Sequence, residues 1–497
     1  MIEPQRAPEA PPLVPVPICL DANRRFLLLA AILASALGFI DGSVVAIAMP
    51  AMRAGLHASL TQAQWIGAGY LLAMSSLVLT GGAMGDRFGV ARVFGLGIAV
   101  FVVASLICTL AATAPAMIAA RIVQGMGAGL MVPGSMALIA RAYPAAERGR
   151  ALGLWAAAAS ATTVAGPILG GLVLSSGAEG AWRWIFALNL PLGGLALWLL
   201  WSKTLRDPGR PGTPVDLPGA VLASATLGVL AWDLTKGGGS VWSLVAAGLA
   251  GLFLWREAST PAPMLRLAMF RNRGFSAANL ATLFLFFALA AVLFYLPMTA
   301  ITAWGARGID VTLALLPLGV LIGVVSTPAG RLADRFGPRP VIASGALLVS
   351  LAYTGLELSA AHAGMYTHIL PLMALNGFGM GLVAAPVSAA VMASAREDEQ
   401  GAASGINNAV ARVANLVAVT LMGGVAAGAY RAAGGTASFA ETGVSGATHA
   451  AATAAGFATV ASVAATAALV ACVIAGLGIP RRGHPASGAT PQVIARR

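Results

Sequence analysis

Long apolar runs, each closed by a short charged or Pro/Gly-rich break, repeat along nearly the whole chain. Fourteen such runs are predicted as spans, at 26–49, 63–84, 92–112, 116–140, 151–174, 184–202, 217–233, 241–255, 275–300, 309–329, 340–358, 366–394, 402–428 and 455–479. A run of 18 or more apolar residues is long enough, as a helix, to cross a hydrocarbon core. The pattern therefore predicts an all-α membrane protein with 14 transmembrane helices.

One break occurs twice. Gly82-Ala-Met-Gly-Asp86-Arg87-Phe88-Gly89 returns as Gly330-Arg-Leu-Ala-Asp334-Arg335-Phe336-Gly337, with Arg339 following the second copy. A break repeated between spans points to duplicated halves, the way many carriers are built, with the ligand held between them. Asp86 lies 60 residues after Phe26, where the first span begins. The same setback from Asp334 puts the start of the second half at Gly274. The expected organisation is a tail at 1–23, a six-helix half at 24–202, two inserted helices with linkers at 203–273, a second six-helix half at 274–479, and a tail at 480–497.

Composition excludes a soluble body: 58% of residues are hydrophobic, 10% are charged, and the mean hydropathy is +0.83, against roughly 25% charged residues in soluble domains. The net charge of +12 does not mark a nucleic-acid partner, because the arginines fall in small groups between apolar runs. With both termini cytoplasmic, the inner segments hold 23 of the 30 basic residues and the outer segments five. That bias is the positive-inside rule and predicts a multi-pass protein with both ends inside; arginine outnumbering lysine 28 to 2 points to a bacterial genome rich in GC, and so to a bacterial plasma (inner) membrane. Three scattered cysteines provide neither a disulfide framework nor a zinc spacing. No Gly-x-x-x-x-Gly-Lys-Ser/Thr loop is present, so an ATP-driven pump is disfavoured.

Charge inside the spans is scarce. Asp41 is the one acidic residue well inside a span, and Arg121 and Arg412 are the two basic ones. A charged side chain in hydrocarbon costs several kcal/mol and marks a functional position or an internal partner. A carboxylate that gains a proton on one side and loses it on the other is what proton-coupled exchange requires. The plainer alternative is a carboxylate paired with a basic residue. Gln124, Trp65, Tyr70, Trp155, Asn376, Asn407 and Asn408 are further polar or aromatic groups within spans, candidates for a cavity lining or for hydrogen bonds between helices. Trp182 and Trp304, near span ends, are expected as interfacial anchors.

These motifs, in this order, resemble the major facilitator superfamily, and within it the fourteen-helix drug:proton antiporter branch (QacA/EmrB type). The duplicated break is similar to the family's loop signature. Ile40-Asp41-Gly and Pro50 resemble the branch's first helix, Gln64-Trp65 with Tyr70-Leu71-Leu72 its second, Arg121-Ile-Val-Gln124-Gly125-Met-Gly127 its fourth, and Trp182-Arg183-Trp184 with Asn189 and Pro191 its sixth. Gly153, Gly166, Pro167 and Gly170 resemble the antiporter motif of the fifth span, with Thr162 at a position that is glycine in the motif. Val90 and Ala91 stand where the loop signature carries basic residues, so the first loop is expected to hold its gate less firmly than the second.

The resemblance implies a secondary transporter, not an enzyme, that exports small lipophilic or drug-like compounds against protons by alternating access. It implies Asp41, Arg121, Gln124 and Arg412 at the proton and substrate site. Gly82, Asp86, Arg87, Gly89, Gly330, Asp334, Arg335, Gly337 and Arg339 would form the gating loops, with each Asp capping a helix N-terminus across the interface. The expected partners are a small-molecule substrate, protons and the lipid bilayer, with no nucleic acid, cofactor or metal. A monomer is expected, and no feature supports a periplasmic partner. The alternatives are a carrier for a metabolite or organic anion on the same fold, or a membrane-embedded enzyme or receptor, for which no catalytic cluster is present.

Overall fold

The computed structural model describes residues 19–480, apart from 176, 177, 179, 205, 206, 208, 210–214, 262, 363, 397, 398 and 445. Most of the two expected tails therefore lies outside the described residues. Within the described part of the first tail, Asp21–Asn23 form a single helical turn ahead of the first long helix.

Among the described residues every long element is a helix: α1 Arg24–Gly55, α2 Leu60–Phe88, α3 Val90–Leu110, α4 Ala114–Ala142, α5 Ala145–Ser175, α6 Arg183–Ala187, α7 Asn189–Lys203, α8 Leu217–Thr235, α9 Val241–Ser259, α10 Arg273–Thr302, α11 Gly308–Phe336, α12 Pro338–Ser359, α13 Leu370–Ala393, α14 Gln400–Ala432 and α15 Ala447–Gly478. By length and apolar content twelve of the described helical stretches can cross a membrane, or thirteen with the bent pair Leu60–Val78 and Thr80–Phe88 taken as one span. The expected count of fourteen is not reached by this measure. The expected sixth span is broken at Leu188 into α6 and α7.

Helices α1 to α7 pack into one bundle, with α2 on α4, α3 on α4 and α7, and α1 on α5 and α7. Helices α10 to α15 form a second bundle, in which α11 and α12 pack on α13, and α10 and α12 pack on α15. α8 and α9 pair with each other, and α8 also lies against α2 of the first bundle and α14 of the second. Missing side chains create the close approaches: a Cβ on Gly125 of α4 would stand 2.3 Å from the Tyr70 carbonyl of α2. Where lipid offers no hydrophobic drive, such contacts between backbones supply the packing.

The duplicated break does the same work in both bundles. Gly89 ends α2 at φ 101° and Gly337 ends α11 at φ 86°, a left-handed region that residues with a Cβ adopt at a cost. Each glycine accepts the reversal, and α3 and α12 begin at the next residue. The tight turns hold α2–α3 and α11–α12 as hairpins of spans.

The two bundles are tied together at the end of the molecule far from Arg24 and Gly478. Arg53, at the end of α1 and 4% exposed, donates from Nη1 to the carbonyls of Phe439 (2.6 Å) and Ala440 (2.9 Å) and from Nη2 to Ser438 Oγ (2.8 Å). Gln64, in the second turn of α2, donates from Nε2 to the carbonyls of Val419 (2.8 Å) and Thr420 (3.1 Å) on α14 and to Tyr295 Oη (3.2 Å) on α10. A Cβ on Gly423 would lie 2.0 Å from that same nitrogen, and one on Gly171 of α5 would lie 2.3 Å from Thr312 Oγ1 of α11.

Arg53→Ala removes the donors that hold the 438–440 loop to α1. In a background lacking the native cysteines, a cysteine placed at Thr312 is expected to react several-fold faster with a membrane-impermeant maleimide when Arg53 is replaced. An unchanged labelling rate contradicts the role given to Arg53.

Candidate functional site

Asp41 sits in the middle of α1, and its carboxylate has no exposed surface. Arg121, on α4, is 2% exposed and donates from Nη1 to Asp41 Oδ2 at 2.6 Å. Asp41 is therefore not a lone carboxylate but one member of a buried ion pair. Gln124, one turn further along α4 on the same face, donates from Nε2 to Asp41 Oδ1 (3.2 Å) and accepts from Arg121 Nη1 at Oε1 (2.6 Å).

The network continues through the bundle. Ser105 Oγ of α3 accepts from Gln124 Nε2 (2.9 Å) and from Asn189 Nδ2 of α7 (3.3 Å). Arg121 Nε donates to the Ile66 carbonyl of α2 at 3.1 Å. The guanidinium also lies over the Tyr70 ring of α2, 4.2 Å from its centroid, and 5.8 Å from the Phe186 ring of α6. Six helices thus converge on one charge.

Removing one member of a buried pair costs about 3–5 kcal/mol, because the other charge is left uncompensated. Here the cost is unevenly distributed between the partners. Without Arg121, Asp41 keeps one hydrogen bond among the described residues, from Gln124. Without a charge on Asp41, Arg121 keeps the Ile66 carbonyl, the Gln124 amide oxygen and two aromatic faces. Cation–π contacts to a desolvated ring contribute about 2 kcal/mol. The geometry tolerates a neutral Asp41 better than a missing Arg121.

Arg412, the other arginine expected at this site, lies on α14 of the second bundle, half-buried. Among the described residues it makes no hydrogen bond or ion pair. Several expected lining residues are engaged elsewhere. Trp65 Nε1 donates to Thr235 Oγ1 (3.3 Å) and its ring meets Trp232, so it holds α8 against α2. Trp155 Nε1 donates to Ser35 Oγ (2.9 Å), joining α5 to α1. Asn376 donates to Tyr353 Oη (3.1 Å), and Asn407 to Thr282 Oγ1 (2.9 Å) and Asn279 Oδ1 (3.2 Å). These four groups connect helices, because an amide or indole N–H in an apolar interior is costly without an acceptor. Asn408 is half-buried on α14. Trp182, expected as an interfacial anchor, is instead 1% exposed and packs edge-on against Phe186.

The fifth-span motif places small residues between the bundles. Gly170 faces Val44 of α1 at 3.1 Å, and Gly171 faces Thr312 of α11. Gly166 is buried, and Gly153 has open space where a side chain would stand. The Pro167 side chain lies outside the described residues. Thr162 returns its hydroxyl to the Ala158 and Ala159 carbonyls of its own helix (3.0 and 2.9 Å), so the departure from glycine leaves no unsatisfied group.

The two loops expected to gate differ in their contacts, the first being tied more firmly than the second. Asp86 does not cap a helix; it accepts from Arg141 Nη2 at 2.9 Å. Arg141 Nη1 also donates to Asp207 Oδ1 (3.3 Å), and Asp207 Oδ2 accepts the Ala91 N–H at 2.9 Å. Asp207, on the linker after α7, is the residue that caps α3, where its negative charge meets the positive end of the helix dipole. A Cβ on Gly89 would lie 2.4 Å from the Asp207 carbonyl. Arg141 and Asp207 thus make up for the basic residues that Val90 and Ala91 displace. Asp334 is exposed and has no partner among the described residues, while Arg87 and Arg335 lie over Phe88 and Phe336 at 5.3 and 5.2 Å. Gly82 and Gly330 face Pro133 and Ala385 at 3.9 and 4.0 Å, and Arg339 is half-buried.

Sequence reasoning missed Arg53, Arg141, Asp207 and the Ser105–Asn189 extension. The signal available for Asn189 and Gln64 was a polar amide inside an apolar run. No local signal marks Asp207, whose partners lie 66 and 116 residues away.

Two outcomes follow. Arg121→Ala should destabilise the purified protein by about 3–5 kcal/mol, and adding Asp41→Asn should recover much of the loss; additive losses in thermal melts contradict a mutual ion pair. Asp207→Ala should slow turnover as severely as Asp86→Ala and more than Asp334→Ala, and a larger loss with Asp334→Ala contradicts this asymmetry.

Comparison with known proteins follows the same lines. The Major Facilitator Superfamily description matches residues 31–419 and, in a second match, 278–493. The chain is 32% identical over 401 residues to a methylenomycin A resistance protein of Bacillus subtilis, covering 78% of this chain and 85% of that one. It is 31% identical over 394 residues to a tetracenomycin C resistance and export protein of Streptomyces glaucescens, covering 77% and 72%. It is also 32% identical over 382 residues to an uncharacterized MFS-type transporter of Mycobacterium tuberculosis, covering 75% of this chain and 65% of that one. Among solved structures, a bacterial homolog of the human lysosomal transporter Spinster, in an inward-facing and unoccupied conformation, superposes with a TM-score of 0.68. That match has 16% identity and covers 92% of this chain and 97% of the other, which is a likeness of fold. The chain, a multi-pass membrane transporter, belongs to the major facilitator superfamily.

Proposed function

We propose that the protein is a proton-coupled antiporter that exports small, lipophilic, drug-like compounds by alternating access. One observation carries this reading: a buried carboxylate, Asp41, is paired with an arginine that keeps four other partners when the carboxylate is neutral. A proton reaching Asp41 removes its attraction for Arg121 without stranding the guanidinium. The pair can therefore exist in two charge states at tolerable cost, the minimum requirement for carrying a proton across the bilayer. The relatives named for resistance and export support the direction and the class of compound.

In this reading the bundles α1–α7 and α10–α15 are the two rocking halves, at 24–202 and 274–479, and 203–273 is the insertion that carries α8 and α9. α5, 31 residues long and wedged between α1 and α11, is the span that brings the total to fourteen. The end carrying the termini faces the cytoplasm of a bacterial cell, in keeping with the arginine distribution. The ties at Arg53, Gln64 and Gly171 then close the outer face, and proton entry from outside requires them to part.

The test is transport by purified protein in liposomes loaded with a pH-sensitive dye, against a panel of lipophilic aromatic compounds of each charge. Compound movement should drive opposite proton movement in the wild type. Asp41→Asn should abolish the proton movement while the protein remains folded, and coupling unchanged by that substitution removes Asp41 from the mechanism.

A further inference from the structure

Two carboxylates with unpartnered oxygens meet where the inserted pair α8–α9 closes. Asp216, just ahead of α8, accepts the Gly219 N–H (2.9 Å) and Arg256 Nη2 (2.9 Å) at Oδ1. Glu257, in the last turn of α9 and 3% exposed, accepts the Leu265 N–H at Oε2 (2.7 Å). The remaining oxygens, Asp216 Oδ2 and Glu257 Oε1, are buried without a hydrogen-bond partner. Each lies 2.7 Å from the point where a Cβ on Gly219 would stand, so the two converge on one small gap that the glycine leaves open. Among the described residues the charged groups facing Glu257 are Asp216 and Arg256. No charged side chain of α2 or α14, which also pack on α8, pairs with either carboxylate.

Two anionic oxygens do not share a buried gap unless a cation or a proton lies between them. Arg256 offsets one of the two negative charges and leaves the other. A hard metal cation takes about six or more oxygen ligands, and this gap offers two; among the described residues no group of three or more His, Cys, Asp or Glu gathers to hold a metal. A proton needs only the two oxygens, and the resulting O–H···O bond to a carboxylate is short and strong. The gap lies at the end of α8 away from the Trp65–Thr235 contact, and so away from the ties at Arg53 and Gln64. The segment that Glu257 holds there touches both bundles. Met264 Sδ accepts from Thr80 Oγ1 of α2 (3.8 Å), Leu265 packs on the large apolar core, and Arg266 Nη1 pairs with Glu399, just ahead of α14 (3.2 Å).

We propose that Glu257 and Asp216 form a proton-binding site, in which Glu257 Oε1–H donates to Asp216 Oδ2, and that this proton latches the 264–266 connector between the bundles. With the proton bound, Asp216 and Arg256 remain paired, Glu257 is neutral, and the cluster carries no net charge. When the proton passes to water at that end of the molecule, two carboxylates repel across the gap. Glu257 then withdraws from the Leu265 N–H, and the connector loosens. The site is separate from Asp41 and answers to the pH on the side of the membrane where α8 begins. It does not depend on antiport or on the direction of transport.

The test uses the full chain in nanodiscs, with infrared spectroscopy for the proton and hydrogen exchange of the Leu265 amide for the latch. At neutral pH the wild type should show a neutral-carboxyl stretch that persists in Asp41→Asn and vanishes in Glu257→Gln. Leu265 should exchange equally in the wild type and Glu257→Gln at that pH, because the amide side chain donates to Asp216 and accepts from Leu265 as the acid does. Exchange should be several-fold faster in Glu257→Ala. As the pH is raised, the wild type should exchange several-fold faster than Glu257→Gln; the ratio at each pH cancels the intrinsic effect of pH on exchange. The proposal is overturned by the absence of a carboxyl band assignable to Glu257, or by a ratio that stays flat with pH. A Glu257→Gln protein that loosens like the alanine variant, or that does not fold, overturns it as well. So does a ratio that changes when sodium replaces choline, which would assign the gap to a metal cation.

Discussion

A guanidinium buried in a helical bundle needs a matching charge and hydrogen-bond acceptors, and Arg121 obtains them with the help of five surrounding helices. Asp41 comes from α1, the Ile66 carbonyl and Tyr70 ring from α2, Ser105 from α3 through Gln124, Phe186 from α6 and Asn189 from α7. Close packing is the means by which these groups reach one point. Gly125, one residue beyond Gln124, lets α4 approach the Tyr70 backbone so closely that no side chain fits. Move α2 away by the width of a methyl group and the Ile66 carbonyl and the Tyr70 ring both leave the arginine.

In the proposed mechanism the two bundles separate, and the bonds between them bear on that step. Their ties at the far end are hydrogen bonds from two side chains, Arg53 and Gln64, to backbone carbonyls, with a glycine opposite Gln64. Bonds of this kind contribute roughly 0.5–1.5 kcal/mol each, or up to 3 where the donor is charged. In the proposed mechanism, ties of that strength hold the end closed and part when the charge state changes. The hairpin turns at Gly89 and Gly337 lie within the separate bundles, and on the first of them the Arg141–Asp207 clasp draws the linker after α7 onto the loop.

Much of this was legible in the chain. Asp41 and Arg121 stood out because charge inside an apolar run is expensive, and the same expense brings them together. The repeated Asp-Arg-Phe-Gly break announced two equivalent turns, and both glycines adopt the left-handed conformation that the position demands. What was not legible is whatever depends on which helix lies beside which. Periodicity shows that Trp65 and Trp155 are in spans, but not that one reaches Thr235 and the other Ser35. The weakness expected of the first loop came from reading its basic residues in order, when Arg141 and Asp207 arrive there from other helices and linkers. Arg412 shared with Arg121 only its place inside a span, and the packing shows that Arg121 has an acidic partner while Arg412 has none among the described residues.

The central claim is that Asp41 exists in two charge states while Arg121 remains seated. Infrared difference spectroscopy on the protein in membranes reads this directly, by following the stretch of a neutral carboxyl group as the pH is lowered, with Asp41→Asn to assign the band. A band that appears on acidification and is missing from Asp41→Asn is the expected result. Absence of any band assignable to Asp41, across the pH range in which the protein moves protons, would contradict it.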